Sequence, residues 1–189
     1  MMKNMMRMII ALVLFLALNI LVLSGSYVNQ EKFGAVPQPL FSAVPDFSWQ
    51  DLSGKRHNIR ELSGHVVVIH FWAAWCAPCR KEFPDLLDAA KSMDKNVVFL
   101  TLSSDDTREV AEKFIHSAQE SAHAPDLKNV LYGFDTDKKI AFDIFQTEAY
   151  PESIVVDPQG NMKRKFAGMV NWKGGEMAKY LKSLTVAVK

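Results

Sequence analysis

Sixteen residues from Met8 to Leu23 (MIIALVLFLALNILVL) are apolar except for Asn19, and after them the pattern changes period again and again. Phe47 and Trp49 alternate with polar neighbours, Ser53-Gly54 offers a turn, and His57 to Ile59 resumes an extended pattern, which predicts a hairpin. His65 to Trp72 (HVVVIHFW) is β-branched and aromatic without alternation, as in a strand buried on both faces. From Cys76 the period becomes helical, with Phe83, Leu86, Leu87 and Ala90 on one face and Pro84 expected to kink the helix. Asn96 to Leu102 (NVVFLTL) predicts a second buried strand. Thr107 to Ala118 predicts a helix carrying Val110, Phe114 and Ala118 on one face, and from His116 to Lys128 the pattern breaks around Pro125. A short strand at Val130 to Gly133 and a helix at Lys138 to Phe145 follow. Ser153 to Val156 and Met162 to Phe166 form two strands joined by a turn at Asp157-Pro158-Gln159-Gly160. A last helix begins near Lys173, with Met177, Tyr180, Leu181 and Leu184 aligned. This order predicts an α/β fold, a mixed sheet with helices on both faces.

The apolar run follows Lys3 and Arg7 with no acid before it, the layout of a positive n-region and an h-region. Sixteen helical residues reach about 24 Å, short of a hydrocarbon core of roughly 30 Å, and Met5, Met6 and the neutral SGSYV extend the span. Ser24 and Ser26 make a poorly formed small-residue cleavage site, and no cysteine follows for lipid attachment. Residues 1–26 are therefore expected to be a signal anchor rather than a cleaved signal peptide, with the positive flank inside and the rest of the chain outside. Residues 27–44, with Gly34, Pro37 and Pro39, are read as a linker, and 45–189 as one domain.

The chain has 189 residues, 49% hydrophobic and 23% charged, the composition of a globular domain. Setting aside Lys3 and Arg7 leaves 20 basic against 21 acidic residues, which gives no electrostatic case for nucleic acid as a partner. The two cysteines lie three apart, closing a loop too small to staple a fold, so reactivity is the better reason for them.

Trp75-Cys76-Ala77-Pro78-Cys79 sits where a buried strand hands over to a helix. A thiolate is the reactive form of cysteine, and the unpaired N–H groups at a helix start favour an anion. Cys76 is thus the expected attacker and Cys79, one turn in, the group that resolves the mixed disulfide. Pro78 costs little in the first turn. The C-x-x-C spacing alone also fits two small core residues or half of a zinc site; the flanking aromatics and the strand-to-helix setting favour redox chemistry.

The stretch from Trp72 to Pro84 (WAAWCAPCRKEFP) resembles the active-site segment of the TlpA/DsbE-like (CcmG-like) thioredoxins, membrane-tethered periplasmic thiol–disulfide oxidoreductases of bacteria. PDFSWQDLSGKRHNIRELSGHVVVIHFW resembles that family's N-terminal hairpin and first core strand, and YPESIVVDPQG its segment around a cis-proline, so the likeness runs from Pro45 to Lys182. The resemblance implies a thioredoxin-like fold with an N-terminal β-hairpin extension, a redox-active Cys76–Cys79 disulfide and no cofactor. It further implies protein thiol or disulfide substrates such as apocytochrome c, a membrane electron donor such as a DsbD/CcdA-like protein, and a place on the periplasmic side of the inner membrane, held by the N-terminal helix.

By the same resemblance Pro151 matches the cis-proline that crowds the sulfurs against metals and leaves neighbouring backbone free to pair with substrate; without it, Pro151 simply opens an edge strand. Glu82 matches an acidic residue that would pass a proton to or from Cys79, although a glutamate in a second helical turn is commonly just solvated. Glu152 resembles the glutamate of a Pro-Glu-Thr segment, with Ser153 in place of the threonine, and would line a substrate groove with Trp75, Ala77, Pro78, Tyr150 and Pro151. His70 departs from the family, which carries Asp or Asn there; it is either a neutral core histidine with one hydrogen bond or a group titrating near neutrality beside the thiols. The leading reading is a reductase of protein disulfides. A disulfide oxidant or isomerase is the alternative enzyme, and a thioredoxin-like copper-binding chaperone, with His116 or His123 as a third ligand, the alternative of another class.

Overall fold

The computed structural model describes residues 36–39, 42–124 and 127–185, so the segment 1–26, most of the stretch 27–44 and Pro125 lie outside the described residues. The central strand is β4 (Val66–Trp72), every residue of which is buried. Side chains alternate across a strand, so Val66, Val68 and Trp72 enter one core while Val67, Ile69 and Phe71 enter the other. With both faces covered, an unbroken apolar run is the pattern that lasts.

Parallel to β4 run β5 (Val97–Ser103) and then β6 (Val130–Phe134). Antiparallel to it on the other side lies β7 (Glu152–Val156), followed by β8 (Met162–Ala167). The chain before β4 supplies both margins: β1 (Val36–Pro39) pairs with β8, and the hairpin of β2 (Ser48–Asp51) and β3 (Arg56–Asn58) docks on β6. The eight-stranded order is β1-β8-β7-β4-β5-β6-β2-β3. Gly133 lets the hairpin in: a Cβ there would stand 2.4 Å from Trp49 Cδ1 and 2.8 Å from Leu102 Cδ2.

Three α-helices cover the first face: α1 (Ala77–Lys91), α2 (Arg108–Ser121) and α3 (Gly175–Thr185). In α1 the buried positions are Cys79, Glu82, Phe83, Leu86, Leu87 and Ala90, a stripe of 3.6-residue period. Burying each large apolar member contributes about 1.5–3 kcal/mol. The second face is covered by Phe47 and Trp49, by Ile59 of the 3-10 turn Ile59–Leu62, and by the π-helical turn Ile140–Ile144.

Several expectations change. Part of the expected linker, Val36–Pro39, is a sheet strand, because its backbone pairs with β8 across more than a hundred residues of sequence. The expected helix at Lys138 to Phe145 shrinks to the π turn, which is bounded by a buried carboxylate and a half-buried lysine. The Asp135 carboxylate accepts the N–H groups of Ile140 (3.0 Å) and Ala141 (2.7 Å) at its start. Lys165 Nζ donates to the carbonyls of Phe145 (3.0 Å) and Gln146 (3.3 Å) past its end. The second helix continues to Ser121, three residues beyond expectation.

Candidate redox site

The loop after β4 is fixed before the cysteines begin. Trp72 accepts the N–H of Ser104 at 2.8 Å, and both oxygens of the buried Asp105 carboxylate lie 2.9–3.0 Å from the Ala74 N–H. Ser103 Oγ donates to the same carboxylate at 2.8 Å. Cys76 then takes the N-cap of α1 with an extended backbone, and its Sγ accepts the Cys79 N–H at 3.2 Å. A side-chain oxygen ordinarily fills that place; here a sulfur does, where the first-turn donors favour negative charge. No acidic residue sits in the first turn. Cys76 and Cys79 are joined as a disulfide; Cys76 is 5% exposed and Cys79 fully buried, while Ala77 and Pro78 face solvent. Substrate therefore meets the pair from the Cys76 side.

Glu82 lies one helical turn beyond Cys79 on the same buried stripe, a separation that places the two Cβ atoms about 5–6 Å apart. Its Oε1 accepts the Trp172 Nε1–H at 2.8 Å and its Oε2 the Val170 N–H at 3.1 Å. Burial lifts its pKa to about 7, against the lowering effect of those two donors. His70, fully buried, bonds Ser153 Oγ through Nδ1 at 2.9 Å, and burial pushes its pKa down to about 3. It is therefore neutral beside Glu82, and the 3.9 Å between Nδ1 and Glu82 Oε1 is a close approach without an ion pair, because the imidazole carries no charge. Of the two readings of His70, the structure shows the neutral core histidine with one hydrogen bond.

The other wall comes from the entry to β7. The Tyr150–Pro151 peptide bond is cis, Pro151 accepts the Gly168 N–H at 2.9 Å, and Phe71 of β4 pairs with Glu152. Among the described residues the backbone of Tyr150 makes no backbone hydrogen bond. Its ring meets that of Trp75, 61% exposed, edge to face at 5.8 Å. Glu152 is buried and faces away from solvent: its Oε1 accepts from Thr147 Oγ1 at 2.6 Å and pairs with Lys165 Nζ at 3.0 Å, while burial raises its pKa.

The structure thus gathers Cys76, Cys79, Trp75, Tyr150 and Pro151 at one end of the sheet with Glu82 beneath. Glu152 belongs to the support of the neighbouring turn. Sequence reasoning missed Trp172 and Val170, which hold Glu82, Asp105, which holds the loop, and Lys165, which neutralises Glu152. His116 and His123 are exposed in the last turns of α2 and just beyond it, and among the described residues no group of three His, Cys, Asp or Glu side chains could hold a metal.

Comparison with known proteins agrees with this geometry. The model of the AhpC/TSA family matches residues 41–165. The thiol-disulfide oxidoreductase ResA of Bacillus cereus is 28% identical over 163 residues, 86% of this chain and 86% of its own. The thiol:disulfide interchange protein DsbE of Allochromatium vinosum is 29% identical over 168 residues, 87% of this chain and 86% of its own. A solved DsbE-type interchange protein of Chlorobium tepidum superposes with a TM-score of 0.64 over 77% of this chain and 97% of its own. At 21% identity that likeness carries the thioredoxin-like fold alone.

Proposed function

Because this chain belongs to the AhpC/TSA family and is a thiol–disulfide oxidoreductase, we propose that it runs in the reducing direction, opening disulfides of extracytoplasmic proteins. The observation that carries the direction is what surrounds the sulfurs. Between them stand only Ala77 and Pro78, which offer neither charge nor side-chain donor, and beneath them lies a buried acid. A thiolate at Cys76 gains the helix N-terminus but no charged or hydrogen-bonding side chain from the two residues between the cysteines, so the reduced form lacks one source of the stabilisation a strong oxidant needs.

In the reduced protein the Cys76 thiolate attacks a substrate disulfide. A bond forms between Cys76 Sγ and one substrate sulfur, and the other substrate sulfur leaves as a thiolate and takes up a proton. Cys79 gives its proton to the Glu82 carboxylate and attacks Cys76 Sγ, which closes the intramolecular disulfide and releases the second substrate sulfur, protonated in turn. Substrate gains two electrons and two protons, and a donor dithiol returns them to the Cys76–Cys79 pair, Glu82 reprotonating Cys79 as it leaves. A DsbD/CcdA-like membrane protein would be that donor and apocytochrome c one substrate, with the apolar run of Met8 to Leu23 tethering the domain on the periplasmic side of the inner membrane.

The test is the reduction potential of the Cys76–Cys79 pair, measured in dithiothreitol and glutathione buffers with tryptophan fluorescence as the readout. A value toward about −270 mV supports a reductase, and a value near about −120 mV makes the protein an oxidant and ends this reading.

A further inference from the structure

Phe142 plays no part in the chemistry above, yet it is one of few large apolar side chains left open among the described residues, 44% exposed on the π turn. Its ring stacks on that of Tyr150, with centroids 6.0 Å apart and planes 24° from parallel, and Tyr150 in turn meets Trp75 at 5.8 Å. The three rings are in successive contact, beginning with the residue next to Cys76. Trp75 follows the loop pinned by Asp105, the Tyr150 ring packs against the buried cores on both faces, and the turn bearing Phe142 is fixed by Asp135 before it and Lys165 after it. A surface fixed in advance loses little entropy when it binds.

The spacing of the rings matches a polypeptide. In an extended strand, residues i and i+2 project to the same side about 6.6 Å apart, close to the 5.8 and 6.0 Å between successive rings. The backbone of Tyr150, the middle residue of the three, is free to hold such a strand through main-chain hydrogen bonds. We propose that Phe142 extends the Trp75–Tyr150 surface and selects disulfides with apolar side chains two and four residues from the attacked cysteine. The occupant is an unfolded or locally unfolded polypeptide disulfide; a folded protein hides such side chains, and a small disulfide has none. The inference rests on the reducing direction proposed above.

Two synthetic peptides, each closed by a Cys-Ala-Ala-Cys disulfide, test it. One carries Leu at the second and fourth positions on both flanks, the other Ser. The pre-reduced full-length protein is mixed with each, and its oxidation is followed by tryptophan fluorescence. The expected ratio of second-order rates, Leu peptide over Ser peptide, is about ten for the wild type, about one for Phe142→Ser, and largely restored in Phe142→Leu. A wild-type ratio near one overturns the inference, and so does a ratio that survives Phe142→Ser, including the case where both rates fall together as they would from a structural fault. Failure of the reducing direction itself looks different: neither peptide oxidises the wild-type protein, while the oxidised protein accepts electrons from reduced peptides of both kinds.

Discussion

Replacing Glu82 by glutamine removes a buried acid from beneath the disulfide while keeping its shape, and the effect on stability should depend on pH with a definite sign. In the folded protein burial moves this carboxyl from its ordinary 4.5 to about 7. Between those values the unfolded chain has released the proton and the folded protein still holds it, so the folded state binds more protons and stability falls as pH rises. At about 1.4 kcal/mol per pH unit the full cost is about 3 kcal/mol, and roughly 2–3 kcal/mol of it develops between pH 5 and pH 8. The glutamine does not titrate, but its amide nitrogen must face one of two donors, Val170 N–H or Trp172 Nε1–H, a penalty of about 1–3 kcal/mol at every pH. The Glu82→Gln variant should therefore be less stable than wild type at pH 5 and as stable or more so at pH 8. Urea unfolding of both oxidised proteins at the two pH values measures this, and the difference between the curves isolates Glu82 from groups common to both. Parallel stability–pH curves would refute the reasoning, because they would mean that position 82 releases no proton in this range.

Cys79→Ser should accumulate mixed disulfides through Cys76 and Cys76→Ser should form none, as read by non-reducing electrophoresis; the opposite pattern would exchange the roles of the two sulfurs. His57 sits between Glu61 (3.0 Å) and Asp51 (2.9 Å), bonds that raise its pKa above the usual 6.5. Its contribution is present in full below that value and lost as pH rises through the raised one, so His57→Gln should lower Tm more at pH 5.5 than at pH 9. Lys165→Met strands the buried Glu152 carboxylate at a cost of about 3 kcal/mol, whereas the double variant Glu152→Met, Lys165→Met should cost less than the single one; chemical denaturation decides between that and simple additivity.

Much of the site is legible in the sequence because its signals are local. The run HVVVIHFW suits a strand covered on both sides, and WCAPC follows it where a helix begins. The burial of Glu82 is also written in the chain: Cys79, Glu82, Phe83 and Leu86 follow the period of the buried stripe, which argues against a solvated acid. What holds Glu82 is not legible, since Trp172 comes from the far end of the chain with no motif to announce it. The π turn departs from expectation for a similar reason. Ile140, Ala141, Ile144 and Phe145 carry helical spacing, but Asp135 and Lys165, neither of them inside the turn, decide where it starts and stops. Prolines make Val36–Pro39 look like a spacer, and pairing with residues so distant has no local trace.

Those prolines also bear on how copies of the molecule behave toward one another. An outermost strand normally exposes a row of N–H and C=O groups onto which a second chain can add itself. Among the described residues β1 is such a strand, and it carries Pro37 and Pro39, whose nitrogens bear no hydrogen, so its outward side lacks the donors a newcomer would need. The opposite rim, β3, is three residues long and reads Arg-His-Asn, too short and too polar to seed a stack. Both ends of a sheet rich in Val, Ile and Phe are thus closed to growth by the segment that precedes its core, a safeguard against self-assembly into fibrils even at high local concentration.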